Sequence, residues 1–193
     1  MKEFRTAPIT VESRAEAGAD AMFLIGCPVV YDVSATIHTP HGDYTEIIRP
    51  GALDGTDISD VRLLYDHSTS ARTPLARTPK TLRLSVGPAG LEMRAELSTS
   101  PDAQSVYTAV KRGDIDGLSF AFTLPKDGDR WNAATRTREV LKISKIYEIS
   151  VCPFPAYPQA SVEARAALRE IDERCRQRNQ AIIAVNKLLM KGM

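Results

Sequence analysis

No stretch of this sequence is apolar for long enough to cross a bilayer as a helix. The most apolar run, MFLIGCPVVY from Met22 to Tyr31, falls far short of the ~20 residues a span needs and lacks the flanks of a signal peptide. Cysteines are few: Cys27, Cys152 and Cys175 are odd in number and far apart. With no C-x-x-C pair there is no redox or zinc signature, and a reducing compartment fits best. Histidines are equally few. His38 and His41 lie together in IHTPHGD with no cysteine or third histidine beside them, so they read as exposed loop residues, and neither a metal nor a cofactor is expected. Charge of one sign is lacking too: 25 basic against 24 acidic residues leave +1, too little to hold a polyanion, so nucleic acid is not an expected partner. There is no internal repeat and no low-complexity tract. What remains is the composition of a soluble cytoplasmic protein, 43% apolar and 25% charged, with 193 residues enough for one domain and an appended segment.

Short apolar runs alternate with turn signals from residue 22 to about 98: MFLIGCPVVYDV, then YTEII before Arg49-Pro50-Gly51, then VRLLY before Asp66-His67. That spacing predicts strands. TLRLSV and LEMRAEL around Gly87-Pro88-Ala89-Gly90 predict an antiparallel hairpin, with Leu82, Leu84 and Val86 meeting Leu91, Met93, Ala95 and Leu97. A helix is predicted from Ser100 as N-cap, with Pro101 in its first turn and Asp102 at the positive end of its dipole, and it should stop at Gly113. GLSFAFTL and a long run from about Val140 to Val151 predict two more strands, separated by the polar loop PKDGDRWNAATR. After Pro153-Phe154-Pro155-Ala156-Tyr157-Pro158 the chain turns to helix formers. Leu168, Ile171, Cys175, Ile182, Val185 and Leu189 fall at heptad steps that skip Arg178 once, which fits either a short coiled coil or a helix packed on the main domain.

Two residues stand where a side chain could do chemistry. His67 ends a strand-like run at the edge of a polar loop, a good position for a base but also for a satisfied structural histidine. Ser119 sits in Gly-Asp-Ile-Asp-Gly-Leu-Ser-Phe-Ala-Phe, where Phe120, Phe122 and Leu124 would face the core while Ser119, Ala121 and Thr123 share a half-exposed face. A nucleophilic serine needs a base within hydrogen-bond reach and a third group to orient that base. Familiar arrangements are missing: GLSFA lacks the second glycine of G-x-S-x-G, no histidine follows residue 67, and neither Gly-Asp-Ser-Gly nor a Ser-x-x-Lys pair occurs around Ser119. A thiol enzyme using Cys152 is the weakest option, since its strand position offers no obvious base.

The order histidine, serine, third member survives, and in that order the chain resembles a family. Glu46-Ile47-Ile48-Arg49-Pro50-Gly51-Ala52-Leu53, Leu63-Leu64-Tyr65-Asp66-His67, the hairpin ending Gly90-Leu91-Glu92, Gly113 followed by Gly117-Leu118-Ser119-Phe120-Ala121-Phe122, and Tyr147-Glu148-Ile149-Ser150-Val151-Cys152-Pro153 with Pro155-Ala156-Tyr157 carry the resemblance. It is to the prohead proteases of tailed phages and related gene-transfer particles, which are themselves similar to the herpesvirus capsid-maturation protease. It spans roughly residues 20 to 163. The chain departs from the pattern after His67, where Thr73-Pro74-Leu75-Ala76-Arg77 lacks an expected glycine, and at Cys152, where an apolar residue is commoner.

The resemblance implies His67 as general base, Ser119 as nucleophile and Glu148 as third member, with Asp66 the rival orienter and a solvated strand face the alternative for Glu148. Oxyanion donors would be backbone N–H groups of Phe154, Ala156 and Tyr157, because Pro153, Pro155 and Pro158 have none. The implied fold is mainly β with flanking helices (α+β), a small closed or nearly closed β-barrel of the herpesvirus-protease type with a C-terminal helical tail. The division would be a flexible segment over 1–20, a protease domain over 21–160 and the tail over 161–193. The implied activity is cleavage of scaffold, or of the scaffold-like part of the major capsid protein, and of the chain itself, inside procapsids assembling in the host cytoplasm. Capsid and scaffold polypeptides would be the partners, and a homodimer is compatible with the herpesvirus analogy. The alternative is a catalytically idle barrel acting as scaffold or assembly chaperone.

Overall fold

Long antiparallel pairing begins at the N-terminus of the computed structural model, which describes residues 3–16, 19–39, 42–68 and 73–153. Strands β1 (Glu3–Glu16) and β2 (Ala19–Val30) pair from Ile9 opposite Gly26 to Glu16 opposite Ala19, so residues expected to be flexible form a strand. After them come β3 (Ser34–Ile37), β4 (Tyr44–Ile48), β5 (Arg62–Tyr65) and the short β6 (Ala76–Arg77). The hairpin of β7 (Leu82–Gly87) and β8 (Gly90–Leu97) leads into α1 (Pro101–Arg112). The last strands are β9 (Gly117–Thr123), β10 (Asp129–Asn132), β11 (Thr137–Val140) and β12 (Lys145–Cys152). Among the described residues the fold is therefore mainly β with one helix, and no helix is long and apolar enough to cross a membrane.

Two sheets result, one of eight strands in the order β6-β5-β12-β9-β1-β2-β8-β7 and one of four in the order β10-β11-β4-β3. Among the described residues the expected closure into a barrel is not found. Edge strands β6 and β7 share no ladder, and the turn between them spans the gap instead: Thr81 N–H donates to the Arg77 carbonyl at 3.1 Å, and Glu96 N–H donates to the Thr81 carbonyl at 2.8 Å. The predicted C-terminal helical tail and its heptad seam lie outside the described residues.

Local chemistry set several elements as the sequence predicts. Ser100 caps α1 by accepting from Ala103 N, Asp102 lies in the first turn, and Gly113 ends the helix with φ 80°, a left-handed conformation that glycine adopts without strain. The helix buries Ala103, Val106, Tyr107 and Val110. In the hairpin, Leu82, Leu84 and Val86 oppose Ala95, Met93 and Leu91, and the turn is as tight as Gly87 opposite Gly90. Gly90 is required there: a Cβ would lie 2.0 Å from the Val29 carbonyl oxygen.

The long strand expected from Val140 to Val151 is broken at Leu141–Ser144. The segment EIIRPGAL and the turn that follows it hold this break in place: Ile143 N–H donates to the Ala52 carbonyl at 2.7 Å, and the Thr56 hydroxyl donates to the Ile143 carbonyl at 2.8 Å. Arg49 is bound to Asp32 at 2.8 Å and to Glu139 at 2.8 Å through Nε, while buried Glu46 pairs with Arg138 at 3.2 Å. This conspicuous block thus acts on the site through the scaffold, by fixing where β12 begins. The polar loop PKDGDRWNAATR contains β10, whose four residues are all exposed and so carry no apolar alternation.

Within the large sheet, β12 lies between β9, antiparallel, and β5, parallel. One face carries the buried apolar side chains Leu63, Leu118, Phe120, Phe122, Ile149 and Val151. Each such fully buried side chain contributes ~1.5–3 kcal/mol relative to exposure. The opposite face is the one that matters for function.

Candidate active site

Strand alternation places Ser119 and Ala121 of β9 on the face opposite Phe120 and Phe122. Register pairs Ser119 with Ser150 and Ala121 with Glu148, so Glu148, Ser150 and Cys152 of β12 share that face. Directly opposed residues have Cβ atoms about 4.5–5.5 Å apart, which sets the Ser119–Ser150 spacing. The alternation on β12 is not simple. Two residues, Tyr147 and Glu148, stand against one between Ile146–Phe122 and Glu148–Ala121, which is a β-bulge. Ile146, which strict alternation would put on the face of Glu148, instead enters the core beside Phe122, and the bulge is what turns the Glu148 carboxylate to the other side.

His67 arrives from β5, whose parallel pairing with β12 is extended by Asp66 N–H donating to the Val151 carbonyl at 2.9 Å. The chain then turns sharply. Ser68 N–H donates to the Tyr65 carbonyl at 3.0 Å, with Asp66 (φ 50°) and His67 (φ 55°) both left-handed at the centre of the turn. Two consecutive non-glycine residues with positive φ cost of order 1–3 kcal/mol each, the kind of local strain that clusters at functional sites. The turn folds the imidazole back over the polar face of β12.

There the imidazole Nδ1 is 2.5 Å from Glu148 Oε1. The Ser150 hydroxyl donates to Glu148 Oε2 and accepts the His67 backbone N–H at 3.2 Å, so one fully buried side chain holds both partners. The other ring nitrogen, Nε2, faces Cys152 Sγ at 3.7 Å. The Cys152 sulfur and then the Glu148 carboxylate push the His67 imidazole up to about 10, against the lowering effect of burial. With Nδ1–H donated to Glu148, the neutral ring offers Nε2 as its acceptor, the arrangement a general base needs.

Ser119 is only 3% exposed, more deeply set than the half-exposed position its sequence suggests. The hydrogen bonds described around the site join His67, Glu148, Ser150 and Cys152, and none of these reaches the Ser119 hydroxyl.

A model of the caudovirus prohead serine protease family matches residues 9–175. The chain belongs to this family. It is similar to the prohead protease of Enterobacteria phage HK97, with 28% identity over 131 residues, 66% of this chain and 54% of that protein. The chain thus spans about half the length of the curated relative it matches. No solved structure matches it.

For a caudovirus prohead serine protease, the residues singled out in the sequence fall as follows. His67 and Glu148 meet, and Ser119 lies on the same face one strand away. Asp66 contributes its backbone N–H to the sheet, and the partner at His67 Nδ1 is Glu148. Phe154, Ala156 and Tyr157 lie outside the described residues, as does His41. His38 is exposed and pairs with Asp43 at 2.9 Å.

Sequence reasoning missed Ser150 and gave Cys152 no base partner, whereas Cys152 faces the base directly. The signal for both was present in Glu148-Ile-Ser150-Val-Cys152, three polar or polarisable residues at period two in an otherwise apolar strand.

Proposed function

We propose that this chain is a serine endopeptidase that cleaves scaffold, or the scaffold-like part of the major capsid protein, and itself, during procapsid maturation in the host cytoplasm. Ser119 is the nucleophile, His67 the general base and Glu148 the residue that orients it. The 2.5 Å contact between His67 Nδ1 and Glu148 Oε1, on the face that also carries Ser119, supports this reading most directly. Family membership supports the proposed substrate class.

In the proposed reaction His67 Nε2 takes the Ser119 hydroxyl proton as Oγ attacks the scissile carbonyl carbon. Glu148 stabilises the imidazolium that forms and stays ionised itself. Backbone N–H groups of Phe154, Ala156 and Tyr157 are the proposed donors to the oxyanion. Collapse breaks the C–N bond, His67 gives its proton to the leaving amine, and water, deprotonated by His67, then releases the acyl group from Ser119. Before the first step Nε2 exchanges its contact with Cys152 for one with Ser119. Such catalytic hydrogen bonds commonly tighten only when substrate is bound. The three proposed regions are a segment over 1–20, a protease domain over 21–160 and a tail over 161–193; a homodimer is part of the same reading.

Co-expression with the major capsid protein of the same particle tests the proposal. A shortened capsid protein with the wild-type chain, and a full-length one with Ser119→Ala, are expected. Full-length capsid protein in both, in particles that assemble normally, would favour an inactive chain acting as scaffold or assembly chaperone.

A further inference from the structure

The contact that the proposed serine chemistry leaves unused is the one between Cys152 and His67. Cys152 Sγ lies 3.7 Å from Nε2 of an imidazole whose opposite nitrogen is fixed by Glu148 at 2.5 Å and whose backbone N–H is held by Ser150. Nucleophile, base and orienter are thus present in that order with a thiol in the first position. The sulfur itself is buried on the polar face of β12, with Cys152 only 3% exposed, so the contact belongs to the interior of the site and not to its surface.

We propose that Cys152 is a thiol-modification site built into the active centre, activated by His67 toward small disulfide-class oxidants and blocking the base once modified. His67 Nε2 takes the thiol proton as Cys152 Sγ attacks one sulfur of the oxidant. A bond from Cys152 Sγ to that sulfur forms as the oxidant's own S–S bond breaks, and the second sulfur leaves with the electron pair as a thiolate that takes a proton from solvent. Cys152 is oxidised to a mixed disulfide and the oxidant is reduced, so atoms and electrons balance. A thiol reductant reverses the step. Only small reagents fit, because Cys152 is 3% exposed and the His67 side chain beside it is 33% exposed. An added S–R group has no room in a 3.7 Å gap unless the imidazole leaves Ser119's reach, so modification switches off hydrolysis. The loss of hydrolysis rests on the serine-protease reading, whereas the thiol's reactivity does not.

The test uses methyl methanethiosulfonate, which leaves a methylthio group and releases methanesulfinate, on the full chain at pH 7, with adducts located by peptide mass mapping. An ordinary thiol is only a few per cent thiolate at that pH, so His67→Gln should slow modification of Cys152 by roughly 10- to 30-fold. The wild-type chain carries a second measure: native Cys152 should react at least as fast as the fully exposed Cys152 of the urea-unfolded chain, despite its burial. Modified wild-type protein should lose ~100-fold or more of its peptide hydrolysis and regain it with dithiothreitol. Whatever hydrolysis Cys152→Ala retains should no longer respond to the reagent. Native Cys152 reacting more slowly than in the unfolded chain, equal rates with and without His67, or a Cys152 adduct with undiminished hydrolysis would each overturn the proposal. A wild-type chain that hydrolyses nothing before treatment would count against the serine-protease reading alone, and the mapping would still decide the thiol.

Discussion

Ser150→Ala removes a single oxygen atom from the fully buried centre of the site. The hydroxyl donates to Glu148 Oε2 and accepts the His67 N–H at 3.2 Å. The first bond is charge-assisted and worth ~1.5–3 kcal/mol, the second ~0.5–1.5 kcal/mol. No protein group replaces them, and the carboxylate oxygen loses a partner inside the protein, so the variant should lose about 2–4 kcal/mol of folding stability. Urea unfolding monitored through Trp131 measures that directly. The kinetic consequence is separate. With Glu148 and the His67 turn no longer tied to one another, the imidazole loses its fixed aim, and a displacement near 1 Å costs ~100-fold in rate. The fall should appear in kcat with little change in KM, because the hydroxyl is placed to hold the base and not the substrate. In a Glu148→Gln background the added effect of Ser150→Ala should be much smaller, since the two act on one hydrogen-bonded unit. A variant with wild-type kcat, whatever its stability, would refute the idea that Ser150 positions the base.

Glu148→Gln should leave the chain folded and slow hydrolysis strongly without abolishing it, because the carboxylate orients and stabilises the imidazolium and does not react; full-rate peptide cleavage would return the orienting role to Asp66 or to solvent. Hydrolysis should rise with pH well beyond the range of an ordinary histidine, since the base acts only when neutral and its folded-state value is raised to about 10; a pH–rate profile already flat above pH 7 would contradict this. The same raised value makes the protonated ring a stabilising element, with its contribution complete below about pH 6.5 and lost as pH climbs toward 10, which urea midpoints at pH 6, 8 and 10 would follow. Gly90→Ala should destabilise by at least ~1–3 kcal/mol, from a φ of 140° and a Cβ driven against the Val29 carbonyl; an unchanged unfolding midpoint would show that the hairpin yields there.

What the sequence made legible was local. The Ser100 cap, the Gly113 stop, the facing residues of the Leu82–Leu97 hairpin and the Phe120/Phe122 core face each follow from a few neighbouring residues, and each stands as read. Three features escaped because they depend on distant pairing. The bulge at Tyr147 decides which way Glu148 points, but it exists only in the register of β12 against β9. The left-handed pair Asp66–His67 follows a strand that ends by pairing in parallel with β12, some 80 residues later, and so brings His67 against Cys152. Nothing in the periodicity of VRLLYDH reports that partner. The strand β10 is exposed at all four positions and lacks the alternation by which strands are recognised. Ser119 itself was placed on the correct face but read as half-exposed, since its position inside the sheet, between Thr6 of β1 and Ser150 of β12, is set by distant pairing and not by its own strand.

Peptide hydrolysis by this chain stands or falls on Ser119 being the serine that His67 activates. Phosphonylation of the full chain with a small alkyl fluorophosphonate, followed by peptide mapping, tests it without knowledge of the natural substrate. One adduct is expected, on Ser119, and it should disappear in His67→Ala and in the acid-unfolded chain. Absence of an adduct on Ser119 in the native chain, or labelling at Ser119 that is indifferent to His67, would contradict it.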